Sequence, residues 1–143
     1  MMTPVIVFAE GGPEESVTIE TELLTALRNS LQQSTNSSFV LTVKESDGNL
    51  VAGLTAGCSY GWLLIKTLWV AESYRRQGLA RKLMAQAEEK AVGLHCHGVW
   101  LDTSSPGAMR FYEGIGYEIF GELRNEEDQL PPSHRRWFMK KRL

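Results

Sequence analysis

A chain of 143 residues suffices for one domain with a single core, and 43% apolar and 22% charged residues are ordinary fractions that exclude a disordered class. The formal charge of -2 offers no general attraction to nucleic acid or to an anionic membrane, and the basic residues cluster locally, near the glycine loop and at the C-terminus. No apolar run approaches a membrane span, and the start lacks the basic stretch and cleavage pattern of a signal peptide, so a cytoplasmic location is expected.

The β-branched and aromatic run Pro4-Val5-Ile6-Val7-Phe8-Ala9, ended by Glu10-Gly11-Gly12-Pro13, predicts a first strand and a turn. Over residues 14–33, Val17, Leu23, Leu24, Leu27 and Leu31 recur at broadly helical spacing, which predicts a helical region, in one piece or two, overlying the sheet. The polar stretch Ser34-Thr35-Asn36-Ser37-Ser38 closes it. Two apolar runs, residues 39–44 and 50–58, flank Asp47-Gly48 and predict a hairpin. A further strand, Trp62-Leu63-Leu64-Ile65-Lys66-Thr67-Leu68-Trp69-Val70, leads through a short basic loop into a helix.

That helix carries Leu79, Ala80, Leu83, Met84, Ala87 and Ala91 on one stripe, with Arg81, Lys82, Gln86, Glu88 and Glu89 expected on the solvent side. Its charges oppose the macrodipole: Arg75, Arg76, Arg81 and Lys82 crowd the electropositive N-terminus, and the glutamates lie toward the other end. The arrangement makes sense when a multiply charged anion, such as a pyrophosphate, sits on the free N–H groups of the first turn. Gly78 lets the backbone approach such an anion closely. A second apolar strand, Gly98-Val99-Trp100-Leu101-Asp102, follows Gly93 and predicts a right-handed strand, helix, strand crossover.

Pro106 opens another helix carrying Met109, Phe111 and Tyr112 and ending near residues 114–116. Residues 117–123 return as a strand, residues 124–133 form a polar loop with Glu126, Glu127, Asp128 and Pro131-Pro132, and residues 134–140 make the last strand. An exposed last strand would allow a homodimer by edge pairing. Cys58 and Cys96 have neither CxxC nor metal-ligand spacing and are expected as buried reduced thiols. His95-Cys96-His97 is read as a loop, since consecutive residues seldom converge on one ion, and no metal is expected.

Arg75-Arg76-Gln77-Gly78-Leu79-Ala80 resembles the acyl-CoA signature Q/R-x-x-G-x-G/A of the GNAT N-acetyltransferase superfamily. Later, Ala108, Tyr112, Gly116 and Tyr117 fall in register with that superfamily's N-x-x-A-x-x-x-Y-x-x-x-G-F/Y pattern, with Ser105 in place of the asparagine. Leu101-Asp102-Thr103, Gly121-Glu122-Leu123, Pro131-Pro132 and His134-Arg135-Arg136 resemble a small bacterial-type branch whose acceptor is not implied.

The resemblance implies a single α/β domain over residues 1–143, with a mixed, mostly antiparallel sheet around an acyl-CoA-binding crossover. It implies an N-acetyltransferase moving an acetyl group from acetyl-CoA to an amine of a small molecule or peptide, by direct transfer in a ternary complex. Cofactor contacts fall on Leu68, Trp69, Val70, Arg75, Arg76, Gln77, Gly78, Leu79, Ala80, Arg81 and Ser105, and Tyr112 is the general acid. The base stays open among Glu72, Asp102, His134 and a water chain, and the acidic loop is a candidate to attract a cationic amine. The rival reading is a non-catalytic acyl-CoA-binding or regulatory module.

Overall fold

The computed structural model describes residues 2–143, which divide into two compact units parted between Gln33 and Ser34. In the first unit, residues 4–9 form no strand, contrary to their composition, because they enter no ladder with any other strand. One helix, α1 (Pro13–Ser30), follows instead of two pieces. Pro13 opens it, Glu15 accepts from the Gly12 N–H at 3.3 Å, and Glu14 and Glu15 suit the dipole of its first turn.

The second unit is built on a six-stranded sheet: β1 (Ser37–Lys44), β2 (Leu50–Ser59), β3 (Trp62–Val70), β4 (Gly98–Thr103), β5 (Glu118–Arg124) and β6 (Arg135–Arg142). Strand order is β1-β2-β3-β4-β6-β5, and only β3 and β4 run parallel. The Asp47-Gly48 hairpin forms as expected, with Gly48 at φ 93. A last strand at an edge is not found: β6 lies between β4 and β5, so β1 and β5 are the edges.

Two helices pack on one face of this sheet, α2 (Leu79–Gly93) in the crossover from β3 to β4 and α3 (Pro106–Gly114) after β4. Leu83, Met84, Ala87 and Ala91 of α2 are buried against Leu54, Leu63, Val99, Leu101 and Met139, the stripe that periodicity predicts. Glu88 is not on the solvent side. Its carboxylate accepts from Lys141 Nζ at 2.7 Å and from the Tyr117 hydroxyl at 2.9 Å, tying α2 to β6 and to the turn after α3.

The cysteines are not free thiols, because β2 brings Cys58 against Cys96 in the loop before β4 and the two are joined as a disulfide. Their separation of 38 residues hides this pairing from local sequence inspection. Among the described residues, no helix is long and apolar enough to cross a membrane.

Candidate active site

The site begins where two strands part. β3 and β4 pair only from Trp62↔Gly98 to Leu64↔Trp100, after which β3 continues with β2 as its sole partner. The cause is local: Thr55↔Thr67 and Ala56↔Ile65 leave Lys66 as an extra residue in β3, and such a bulge bends the strand that carries it. One edge of residues 65–70 is therefore left outside the β4 ladder, in a fork.

Beyond the fork, a one-turn 3-10 helix (Glu72–Tyr74) leads to Arg76 at φ 64 and Gly78 at φ 79, and these left-handed residues turn the chain into α2. Among the described residues, no N–H of residues 76–81 finds a protein acceptor; the first bond of the helix is Lys82 N–H to the Gly78 carbonyl, 3.1 Å. By contrast α3 is capped by Ser105, whose Oγ accepts from the Ala108 N–H at 3.2 Å. A Cβ built on Gly78 would meet nothing within 4 Å, so the main chain is open on that side. Arg75 turns back instead, its Nε donating to the Val70 carbonyl at 3.1 Å.

These groups line one cavity of ≈ 880 Å³. Leu68, Trp69 and Val70 supply its β3 wall, Arg75, Arg76, Gly78, Leu79, Ala80 and Arg81 its floor at the start of α2, and Ser105 and Tyr112 its α3 side. Of the residues expected here, only Gln77 does not line it. Sequence reasoning missed Tyr74, Gly107 and Phe111 as lining residues and used Ala108 only as a motif position. The helical spacing of Ala108, Phe111 and Tyr112 was a usable signal, whereas Tyr74 has none, since its hydroxyl is held by Glu45 at 2.7 Å, 29 residues away. That bond to a carboxylate raises the Tyr74 pKa.

Tyr112 is only 7% exposed, with its ring against Phe111 and Tyr117. Its hydroxyl has no hydrogen-bond partner among the described residues, yet no polar side-chain atom there is sealed away unpaired, so the phenol tip is left to the cavity. Burial pushes its pKa up, which keeps it a neutral donor through the physiological range.

Glu72, Asp102 and His134 do not line this cavity. Asp102 forms an ion pair with Arg136 across β4 and β6, and Ser105 caps α3. His134 Nε2 lies 3.3 Å from Ser104 Oγ, at the end of β4. The acidic loop is a separate place, where Glu126, Glu127 and Asp128 line a cavity of ≈ 490 Å³ with Arg124 and Ser133.

Residues 8–117 match the acetyltransferase (GNAT) family. An acetyltransferase of Agrobacterium fabrum is 40% identical over 83 residues, 58% of this chain and 61% of the relative. The blasticidin-S acetyltransferase of Streptomyces morookaense is 34% identical over 77 residues, 53% of this chain and 57% of the relative. The matched segment thus spans about three fifths of each curated relative's length. A crystal structure of an acetyltransferase from Bacillus cereus superposes with a TM-score of 0.85 at 28% identity, covering 96% of this chain and 98% of that one. With the family match covering most of the sequence, and with the forked strands and uncapped helix start in place, the chain belongs to the GNAT acetyltransferase family.

Proposed function

We propose that residues 1–143 form one cytoplasmic N-acetyltransferase domain, which moves the acetyl group of acetyl-CoA to a primary amine of a small molecule or peptide within a ternary complex. The observation that carries this reading is the run of unpaired N–H groups at residues 76–81, opening on the same cavity as the unpartnered Tyr112 hydroxyl.

Main-chain donors at a helix N-terminus suit a diphosphate, and the open side of Gly78 lets it approach. The β3 edge at Leu68, Trp69 and Val70 suits the amides of a pantetheine arm, leading the thioester toward Tyr112. The amine nitrogen attacks the thioester carbonyl carbon. The C–N bond forms, the C–S bond breaks, the nitrogen gives up a proton and the thiolate gains one. Tyr112, kept protonated by burial, donates to the departing sulfur. Asp102 is committed to Arg136, and Glu72 and His134 stand outside the cavity, so the nitrogen's proton leaves to water, which can pass it on to Glu72 or His134.

A screen of amines with acetyl-CoA and thiol detection tests the proposal. Release of coenzyme A that depends on the amine supports transfer. Acetyl-CoA binding without release across the panel would favour the non-catalytic module, and binding of ATP or NAD in preference to acetyl-CoA would sink both readings.

A further inference from the structure

The bulge that opens the fork also creates a second, unassigned place on the opposite face of the sheet. Side chains alternate along a strand, so with Leu63, Val99 and Leu101 in the core, Leu64 and Trp100 point to the face away from α2 and α3. There they line a cleft of ≈ 370 Å³ together with Asn36, Ser38, Ser59 and Lys66. Lys66 owes its place to being the extra residue of β3. Its side chain lies flat across Gly57: a Cβ built on that glycine would come 3.2 Å from Lys66 Cε and 3.3 Å from Nζ.

The Lys66 ammonium has no carboxylate and no hydrogen-bond partner among the described residues, and no acidic residue lines the cleft. An exposed cation lying over a glycine, in a cleft that serines and an asparagine also line, is matched to a carboxylate. The cleft adjoins the strand that walls the larger cavity. Lys66 stands two positions from Leu68, which lines the larger cavity, about 7 Å along the strand at the usual rise.

We infer that this cleft is the subsite for the acceptor's carboxylate, so that the acceptor is a small amino-acid-like molecule carrying a carboxylate besides its amine, with Lys66 as the residue that selects it. The inference rests on the transferase reading above. The acceptor enters from the face opposite α2, its carboxylate anchored at Lys66 and its amine directed into the fork where the thioester ends. Leu64 and Trp100 supply the apolar floor for its side chain.

The test is steady-state acetylation, by the full chain with acetyl-CoA, of L-amino acids paired with the corresponding amino-acid amides. The wild type is expected to favour the carboxylate member in kcat/KM by about ten-fold or more, as a charge-assisted hydrogen bond supplies. Lys66→Gln should bring that ratio to about one and Lys66→Arg should keep it, with thermal unfolding as the check that each variant folds. Equal use of acids and amides by the wild type, or a preference kept by Lys66→Gln, overturns the subsite and leaves the transferase reading standing. If no pair turns over, calorimetric titration of the same pairs into protein saturated with coenzyme A decides it. Acids must bind and lose affinity in Lys66→Gln, and any other result overturns the subsite. Failure to bind coenzyme A at all overturns both.

Discussion

At Gly78 the missing side chain does two things at once: it permits the left-handed turn at φ 79 that starts α2, and it leaves the main chain open where an anion would approach. Gly78→Glu puts a bulky negative charge on that spot, and calorimetry should find acetyl-CoA binding abolished while thermal unfolding still reports a folded protein. Tyr112 makes the opposite demand, since its position is set by burial and its hydroxyl is the part left over. Tyr112→Phe should lower kcat by about 10²-fold or more, in the range of a positioned proton donor, with acetyl-CoA affinity nearly unchanged. Both positions were readable in the sequence, because each is fixed by its distance along the chain from neighbours in the same motif. The role of Ser105 was only half readable. Its hydroxyl is spent on the Ala108 N–H as a helix cap, a use that the asparagine-to-serine change alone does not disclose.

Among the elements, α2 shows how far periodicity reaches. Its apolar stripe predicted the buried face, and Met84→Ala, at a site with 0% exposure, should cost about 2–5 kcal/mol in urea denaturation. Glu88 broke the pattern because its partner Lys141 is 53 residues further on, and nothing within a helical turn announces it. Lys141→Met removes that ammonium from a half-buried carboxylate and leaves Glu88 with Tyr117 as its side-chain donor. A loss of about 1–3 kcal/mol is expected by the same measurement. The β3 bulge is a further case. Lys66 in an otherwise apolar strand was visible, but its being an extra residue exists only in the pairing with β2. The same pairing opens the fork.

For the whole molecule, the tyrosines give a pH dependence with a definite sign. Burial, followed by the charge and hydrogen bond of Glu88, raises the pKa of Tyr117 far above the ordinary 10.0, and burial raises that of Tyr112. A folded-state pKa above the unfolded value means that the folded chain holds its protons more tightly. This stability is present in full below about pH 10 and is lost as the pH climbs toward the folded values. Urea midpoints measured upward from pH 8 should therefore fall above pH 10, and Tyr117→Phe should flatten that fall; a midpoint independent of pH across this range would contradict the burial argument. The sequence by itself determined the order of elements in the second unit, the hairpin, the crossover and the motif positions of the glycine and tyrosine that line the candidate site, because each depends on contacts within one helix, one turn or one motif. Tertiary structure alone decided that β6 is interior, that residues 4–9 form no strand, that Cys58 meets Cys96 and that Lys66 lies unpaired beside the fork. Each of these depends on which strand lies beside which, and strand pairing joins residues whose separation along the chain carries no local signal.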